Sequence, residues 1–424
     1  IAIIGGYRTP FAKAGTALKE YSADELGVFI INHMFDKVNL NRDEVDEVIF
    51  GNVAQPANAA NIARVIALKS GFKHSIPAYT VHRNCASGME SITSGAINIK
   101  AGYSNIIVAG GTESMSNIPL LYNDKMKAFF EKSTKKLSLI KRLKHLSTFR
   151  LSFLKPVIGV VEGLTDPTCN LIMGMTAENL AKDFNINRTD QDRFALNSHH
   201  KVAKAIAENK YDDEIVPIPS KSFSNLIKED VGPRPDQSIE ALAKLKPFFD
   251  RKNGTVTVGN ACPLTDGAAS VILMTEEEAK KRNLEPLGYL REFAYAGLDP
   301  SRMGLGPVFA TSKLLDKTGL TVQDIDLMEM NEAFSVQILA NLEAFKSKEF
   351  ANKFLNKKDP IGEVNPEIVN VNGGAVALGH PVGTSGTRII ITLLRELKRQ
   401  NKKRGIASLC VGGGQGGACL LEVD

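Results

Sequence analysis

Two segments of this 424-residue chain lie 280 positions apart and share one pattern of polar and apolar residues. They are Leu40 to Gly51 (LNRDEVDEVIFG) and Leu320 to Asn331 (LTVQDIDLMEMN), and each reads as a turn that enters a buried strand. A second pair follows in the same order, because Tyr103 to Thr112 (YSNIIVAGGT) resembles Arg404 to Gly413 (RGIASLCVGG). The repetition predicts that the chain folds as two similar halves.

Strand-like segments alternate with helical segments along the chain. Apolar or β-branched runs occur at Ile1 to Gly5, Val45 to Phe50, Ile106 to Ala109 and Ser270 to Met274. This alternation predicts an α/β architecture. A composition of 43% hydrophobic and 23% charged residues excludes a fibrous or disordered chain. Neither an apolar run of about 18 residues nor a signal sequence is present, so we expect a protein that is not secreted.

The stretch from about 116 to 249 echoes nothing in the second half and is interpreted as an insertion. Within it, residues 125–155 carry ten lysines and arginines and only one acid, with apolar residues at helical spacing. This segment is either a solvated face that packs on its own domain or a surface that meets an anionic membrane or a phosphorylated ligand. The remaining residues carry 42 basic and 46 acidic side chains, so nucleic acid is not expected as a partner.

Five cysteines lie at Cys85, Cys169, Cys262, Cys410 and Cys419, without the paired spacing of a zinc site or a disulfide framework. We therefore expect reduced thiols in a cytosol or an organelle matrix, and no bound metal. Cys85 follows a predicted strand, Ala78 to Val81, and precedes a predicted helix, Ala86 to Lys100. A thiol at a helix N-terminus has a lowered pKa and is a candidate nucleophile. A buried structural cysteine is the alternative.

Two further candidates lie in glycine-rich loops near the end of the chain. His380, between Gly379 and Pro381, is a candidate base for a thiol, although a loop histidine is often merely solvated. Cys410 ends a predicted strand and runs into glycines 412–414, whose backbone N–H groups are able to bind an oxyanion. A core cysteine is the alternative. Without metal, P-loop or serine-hydrolase motifs, a metal-free cysteine enzyme is the simplest interpretation.

Taken together, these clusters resemble the thiolase family over essentially the whole chain and in the family's order. The matching segments are Arg8 to Phe11, Asn84 to Gly88, Gly110 to Met115, Met173 to Glu178, Gly254 to Thr257, Thr265 to Ala268, Asn331 to Phe334, Gly379 to Pro381 and Cys410 to Gly414. The resemblance implies two pseudo-symmetric βαβαβαββ halves in five α-β-α-β-α layers with an inserted loop domain. We place the halves at 1–275 and 276–424, with the loop domain at about 116–249.

The resemblance also implies a ping-pong acyltransferase that cleaves 3-ketoacyl-CoA with CoA to acetyl-CoA and a shortened acyl-CoA. In that reaction Cys85 matches the nucleophile that carries the acyl group, and His380 matches its base. Cys410 matches the acid and base that protonates the departing acetyl-CoA carbanion and deprotonates the incoming CoA. Coenzyme A is then a substrate, and no bound cofactor is expected.

Further positions match residues that bind the substrate. The resemblance implies that Asn331 orients a water beside His380 in one oxyanion hole, and that the N–H groups of Cys85 and Gly412 form the other. Met173, Cys262 and Ala333 match substrate-binding positions. Cys262 departs from the family pattern, since many relatives have serine there, which puts one hydrogen bond to the pantetheine in doubt.

The long basic insertion looks more like the thiolase subunit of fatty-acid oxidation complexes than like short-chain acetoacetyl-CoA thiolases, and Ile172 replaces a histidine common in the short-chain group. The resemblance therefore favours β-oxidation of medium or long chains in a bacterial cytoplasm or a mitochondrial matrix. We expect a homodimer or homotetramer. A partner subunit with hydratase and hydroxyacyl-CoA dehydrogenase activities is a further candidate, and the basic charge of residues 125–155 makes a peripheral membrane contact another.

Three alternatives stay open. One is a short-chain thiolase that condenses two acetyl-CoA molecules. The second is a ketoacyl synthase, which shares the fold but uses two histidines, or a histidine and an asparagine, where this chain has the Cys410 loop. The third is a non-catalytic thiolase-like lipid-binding protein, whose relatives usually lose the cysteines or the Gly-His-Pro sequence that this chain keeps.

Overall fold

The computed structural model describes residues 1–424. Short polar caps and left-handed turns mark the ends of its apolar strands and helices. The strands are β1 (Ala2–Arg8), β2 (Ala12–Lys13), β3 (Glu47–Gly51), β4 (Ala78–Val81), β5 (Ile107–Ser114), β6 (Leu120–Leu121), β7 (Val157–Ile158), β8 (Ile218–Pro219), β9 (Leu226–Ile227), β10 (Thr265–Met274), β11 (Pro286–Gly297), β12 (Leu327–Met330), β13 (Arg404–Val411) and β14 (Gln415–Glu422). The helices are α1 (Ala23–Lys37), α2 (Ile62–Lys69), α3 (Ser87–Lys100), α4 (Asp124–Ser133), α5 (Leu139–Leu146), α6 (Gly159–Gly163), α7 (Met173–Asp183), α8 (Arg188–Ala207), α9 (Ile239–Ala243), α10 (Glu276–Lys281), α11 (Gly306–Thr318), α12 (Ser335–Lys346), α13 (Lys348–Leu355), α14 (Ala375–Leu378) and α15 (Ser385–Arg399).

Local sequence explains where several of these helices begin and end. Helix α1 begins after Ser22, whose backbone N–H donates to the Glu25 carboxylate at 2.9 Å in a capping box. Helix α11 ends at Gly319, which adopts the left-handed conformation (φ +70°) that glycine tolerates. None of the helices is both long and apolar enough to cross a membrane.

The long strands form one continuous hydrogen-bonded sheet in the order β12-β13-β14-β11-β1-β10-β5-β3-β4, with β2 attached to β10. Within it, β3 pairs in parallel with β4 and β5, and β12 pairs in parallel with β13. The antiparallel pair β1 and β11 joins the two halves. The halves therefore present the same strand order, read outward from this central pair.

The register of the strands tests the predicted repeat. Val48 in β3 pairs with Ala78 on one side and Val108 on the other, and Met328 in β12 pairs with Val369 and Ile406 in the same way. The first pair of echoing segments is confirmed. The second pair lies on corresponding strands, but its ungapped alignment is displaced by three residues. Apolar periodicity identified the strands, and only hydrogen-bond register fixes how they correspond.

The apolar side chains separate into three main cores, and these give the predicted five layers. The core between the two half-sheets contains α3 and α15, with side chains such as Ile92 and Ile390. In a second core, α1 and α2 pack on the outer face of the first half-sheet. In a third core, α11 and α12 pack on the outer face of the second half-sheet. Because both faces of the half-sheets are covered, β10 is buried at every residue, as buried strands require.

Helices α3 and α15 approach so closely that their backbones touch. A Cβ on Gly88 would lie 2.7 Å from Thr387 Oγ1, and a Cβ on Gly386 would overlap the backbone nitrogen of Met89. The Thr387 hydroxyl donates to Gly88 O at 3.0 Å. Glycine at positions 88 and 386 is therefore required by this contact.

Residues 120–158, called the basic hairpin below, project from the segment between β5 and β10. Strands β6 and β7 pair at its base, with Leu120 opposite Ile158. Its interior is aromatic, because Phe129 stacks on His145 with ring centroids 4.5 Å apart. Its surface exposes large apolar side chains, among them Leu139, Ile140, Leu143, Leu146, Leu151 and Leu154. Along the predicted apolar stripe Met126 is buried, whereas Ile140 and Leu143 are exposed, so both interpretations of this segment stay open.

Candidate active site

A sharp turn presents Cys85 between β4 and α3. Cys85 directly precedes Ala86, the N-cap residue of α3, and follows Asn84, whose φ of +43° bends the chain. The turn is held by Ser87, whose hydroxyl accepts from Arg83 N at 2.9 Å and donates to Asn84 O at 2.7 Å. The predicted strand and helix on either side of Cys85 are confirmed.

The electrostatic environment of Cys85 differs from the expectation. Burial raises the pKa of its thiol, although the backbone N–H groups of Gly412 and of Cys85 itself act in the opposite direction. The predicted lowering of this pKa by the helix N-terminus is wrong, because desolvation outweighs the N–H groups. The thiol is therefore protonated at neutral pH and needs a base to become a nucleophile.

His380 is a buried neutral base. Burial lowers its pKa to about 4, and the Arg388 guanidinium acts in the same direction. Its Nδ1 lies 2.6 Å from Ser385 Oγ, and its Nε2 is buried without a hydrogen-bond partner. Since the Ser385 hydroxyl donates to Pro381 O at 3.2 Å, it accepts from Nδ1–H, which leaves the lone pair on Nε2. Nε2 is the atom that can take a proton.

The Cys410 loop is tied to the Cys85 loop. Asn84 Nδ2 donates to Gly412 O at 2.8 Å, and the Gly412 N–H lies within hydrogen-bonding reach of the Cys85 thiol. Met173, the first residue of α7, reaches the same place, because a Cβ on Gly412 would lie 3.4 Å from Met173 Sδ. The structure thus brings four predicted residues, Cys85, Cys410, Gly412 and Met173, to one cluster.

The other predicted residues lie on segments that are bonded to one another. Cys262 N donates to Ala333 O at 3.1 Å, and His380 N donates to Pro263 O at 3.0 Å. Asn331 follows β12 and donates its backbone N–H to Ser408 O at 2.9 Å, while its side-chain amide is buried without a partner. The segment around Cys262 therefore links the loops of His380 and Asn331.

Three thiols influence one another in this site. Burial raises the pKa of Cys262 and of Cys410, and charge on Cys85 adds to both effects. The described side chains include no group of three or more histidine, cysteine or acidic residues arranged to hold a metal ion. Two cysteine thiols, an unprotonated imidazole and backbone N–H groups together suit covalent acyl transfer, in which one group attacks a carbonyl and others move protons.

No function was predicted from the sequence for three residues that support the site. Ser385 fixes the tautomer of His380, Arg388 lies near that imidazole, and Asn84 joins the two cysteine loops. Ser385 lies only five positions after His380 in a loop already singled out, so proximity in sequence could have pointed to it. Arg388 gave no such signal, because its position on the buried face of α15 depends on the fold.

Comparison with known proteins assigns the family. The profile of the thiolase N-terminal domain matches residues 1–277, and that of the thiolase C-terminal domain matches residues 284–423. The chain belongs to the thiolase family. The predicted fold class and the predicted class of enzyme, an acyltransferase, are thereby confirmed.

Individual relatives are similar over nearly their whole length. A Pseudoalteromonas translucida protein named 3-ketoacyl-CoA thiolase is 42% identical over 423 residues, which cover 100% of this chain and 96% of that protein. A Yersinia enterocolitica protein of the same name is 40% identical over 425 residues, covering 100% and 97%. Among solved structures, Bacillus anthracis acetyl-CoA acetyltransferase has a TM-score of 0.86 and 40% identity, covering 99% and 98%. Human mitochondrial 3-ketoacyl-CoA thiolase in complex with CoA has a TM-score of 0.86 and 35% identity, covering 100% and 98%.

The lowered pKa of His380 predicts how activity depends on pH. A base must be unprotonated to act, so activity is present above its pKa and lost as the pH falls through it. For kcat/KM we therefore expect an acid limb well below the ordinary histidine value of about 6.5. An acid limb at or above that value, in protein shown to stay folded, would contradict this account of His380.

Ser385→Ala provides a second measurement in the same assay. Loss of the Nδ1 partner should lower kcat/KM by about five- to tenfold, the worth of one buried hydrogen bond. Ser147→Ala is the matched control, because Ser147 also bonds to a backbone carbonyl but lies exposed in the basic hairpin. Equal effects of the two substitutions would show that the Ser385 contact is unimportant.

Proposed function

We propose that this chain is a 3-ketoacyl-CoA thiolase that cleaves its substrate with CoA to acetyl-CoA and a shortened acyl-CoA. One observation carries the proposal: the Cys85 thiol meets the N–H of Gly412, two residues beyond a second thiol, Cys410. A nucleophile, an oxyanion donor and a second proton carrier thereby lie together. The curated relatives that are 40–42% identical over the whole chain bear the name 3-ketoacyl-CoA thiolase, which supports the same conclusion.

In the first half-reaction, Cys85 forms a bond to carbon 3 of the substrate. His380 Nε2 takes the thiol proton as the sulfur attacks, because both groups are neutral at pH 7 and the proton transfer must accompany attack. The bond between carbons 2 and 3 then breaks, and its electron pair stays on carbon 2. Cys410 donates its thiol proton to that carbon, which releases acetyl-CoA and leaves an acyl thioester on Cys85.

In the second half-reaction, the Cys410 thiolate takes the proton of the incoming CoA thiol. The CoA sulfur attacks the thioester carbonyl, and Cys85 leaves as a thiolate that recovers its proton from His380. Burial raises the pKa of Cys410, which keeps it protonated until the carbanion forms and makes its thiolate a strong base afterwards. Splitting the transfer around a covalent intermediate replaces one difficult step with two easier ones.

Two sets of donors face the oxygens that become charged. We assign the N–H groups of Cys85 and Gly412 to the oxygen on the acyl group, because both already act on the Cys85 thiol. We assign Asn331 to a water that, with His380, binds the thioester oxygen of the acetyl unit. The unpartnered amide of Asn331 and the unpartnered Nε2 of His380 support this role. Removing one such donor typically costs about 100- to 1000-fold in rate.

We assign Met173, Cys262 and Ala333 to the walls that contact the substrate. The position of Met173 against Gly412 supports a contact between Met173 and the acyl group. Cys262 and Ala333 share a backbone hydrogen bond near the nucleophile. We propose CoA and acyl-CoA as the partners of this site, as the human relative is described in complex with CoA. The second candidate, condensation of two acetyl-CoA molecules, draws support from the Bacillus anthracis acetyl-CoA acetyltransferase, at 40% identity.

The roles of the two thiols and the chain length can be tested together. We expect Cys410→Ser to reduce thiolysis by at least about 100-fold while Cys85 still accepts an acetyl group, because a hydroxyl is a far weaker acid at carbon 2. Cys169→Ser, a change at a cysteine outside the cluster, should leave the rate within about twofold. Full activity of Cys410→Ser would refute its role.

The same assay compares acetoacetyl-CoA with a 3-ketoacyl-CoA of sixteen carbons in the wild-type enzyme. We expect a higher kcat/KM on the longer substrate. A clear preference for acetoacetyl-CoA would establish the short-chain alternative instead.

We propose a homodimer built through the free edge of β4, or a homotetramer made of two such dimers. Strand β4 pairs only with β3, so no strand of this chain covers its other edge, and all four of its residues are half-buried. An exposed strand edge is a ready template for pairing with a second copy.

Three further expectations stay predictions. They are a partner subunit with hydratase and hydroxyacyl-CoA dehydrogenase activities, a location in a bacterial cytoplasm or mitochondrial matrix, and the division into 1–275 and 276–424 with a loop domain at about 116–249.

We also propose that the basic hairpin binds an anionic membrane surface. Its helix α5 exposes Ile140 at 81% and Leu143 at 60% beside Lys141, Arg142 and Lys144. Apolar side chains next to basic ones suit the boundary between acyl chains and anionic headgroups. Each lysine or arginine near such a surface contributes about 1 kcal/mol.

Co-sedimentation with vesicles tests this proposal. We expect binding to vesicles that contain phosphatidylglycerol, weaker binding to pure phosphatidylcholine, and weaker binding at high salt. The double variant Ile140→Asp, Leu143→Asp should lose most of the binding, whereas Tyr103→Asp, a change at an equally exposed apolar residue elsewhere, should not. No binding, or equal binding to both vesicles, would overturn the proposal and point to a protein partner.

A further inference from the structure

Glu113, near the end of β5, is a fully buried carboxyl group that the mechanism above does not use. Its partners are all neutral N–H groups. Oε2 accepts from Gly383 N at 2.8 Å and Val53 N at 3.1 Å. Oε1 accepts from Ala54 N at 3.0 Å and Asn52 Nδ2 at 3.0 Å. Four acceptor sites on one carboxylate are therefore used to hold backbone and side-chain donors from two separate loops.

One of those loops carries the catalytic base. Gly383 lies three residues after His380, and 270 residues of chain separate it from Glu113. The loop is seated directly on the first half of the molecule, because a Cβ on Gly111 of β5 would overlap Gly383 O. The bond from Gly383 to Glu113 therefore anchors the end of the His380 loop to the strand beside it.

The same glycine meets the helix that carries the nucleophile. A Cβ on Gly88, three residues after Cys85, would lie 2.9 Å from Gly383 O. A Cβ on Gly383 would itself lie 2.9 Å from both Asn52 Cα and Glu113 Oε2. Gly383 is thus enclosed by α3, the loop after β3 and the Glu113 carboxylate, and it has no room to shift.

From these contacts we propose that Glu113 is a positioning residue that fixes the His380 loop against the Cys85 helix and thereby sets the alignment of base and nucleophile. The proposal rests on the proposed function for its effect on turnover. Its structural part concerns only Cys85 and His380 and can be tested without substrate.

The negative charge of Glu113 and its hydrogen bonds affect the reactivity of Cys85 in opposite directions. Burial raises the pKa of Glu113 to about 7, and Asp266 on the neighbouring strand β10 adds to that effect. A charged Glu113 in turn raises the pKa of Cys85, which disfavours the nucleophilic thiolate. Replacing the carboxylate with an amide removes both the charge and the acceptor contacts, so the direction of the rate change shows which of them dominates. Loss of positioning slows reactions of Cys85, whereas loss of the charge alone speeds them.

Glu113→Gln is the test variant, since glutamine keeps the shape but turns an NH2 group toward donors that need an acceptor. We expect acylation of Cys85 by acetyl-CoA to slow by about 100-fold, the cost of a small misalignment of reacting groups, with KM changed much less. Alkylation of Cys85 by iodoacetamide at mildly alkaline pH should slow by at least about tenfold, because base assistance from His380 is lost.

Asp46→Asn is the matched control. Asp46 also accepts two backbone N–H groups, from Asn105 at 2.7 Å and Ile106 at 3.0 Å, but it lies at the opposite end of β3 and β5. The substitution Asp46→Asn should change neither the rate of acylation nor the rate of alkylation of Cys85 by more than about twofold. If Glu113→Gln fails to fold, Asn52→Ala removes one of the four donors, and we expect the same slowing at smaller size.

Unchanged or faster alkylation and acylation in a folded Glu113 variant would overturn the positioning role. A wild-type enzyme that cleaves no 3-ketoacyl-CoA, but whose Cys85 alkylation still depends on Glu113, would refute the proposed function and leave the positioning role intact. The two failures are therefore distinguishable.

Discussion

The backbone contact between α3 and α15 holds the active site together. Cys85 lies two residues before the first residue of one of these helices and His380 five residues before the first residue of the other, so the two groups are as fixed as the helix pair. Gly386 and Gly88 permit the approach, and the Thr387 hydroxyl bonds across it. Because the pair is enclosed by a half-sheet on each side, moving one helix would disturb the central core. The two half-sheets thus set the geometry of chemistry that neither half carries alone.

The enclosure that fixes the geometry also sets the protonation states. Burial disfavours charge on both partners: it raises the pKa of the Cys85 thiol and lowers that of His380 to about 4. The pair is therefore neutral before substrate binds. Charge appears only as the sulfur attacks, next to N–H groups of Cys85 and Gly412 that are already oriented. Such donors stabilise developing charge most where water is excluded.

Much of the fold and the site could be predicted from the sequence, because strands and reactive loops have local signatures. Strand β4 and the start of α3 follow directly from the residues around Cys85, and the first repeat lies where the offset of 280 residues places it.

What could not be predicted depends on tertiary contact. The register of β13 differs from the ungapped alignment by three residues. The direction of the Cys85 pKa shift follows from burial, which sequence does not reveal. The helical spacing in the basic hairpin also did not show which apolar side chains would face its aromatic interior and which would stay exposed.

The central claim is that Cys85 carries the acyl group of a covalent intermediate. The most direct measurement is to incubate the protein with acetyl-CoA, quench it in acid, and map acetylation of all five cysteines by mass spectrometry. The account predicts an acetyl group on Cys85 that disappears when CoA is added before the quench. An acetyl group on Cys410 or Cys262 instead, or a Cys85 that remains unmodified and fully open to alkylation, would contradict it.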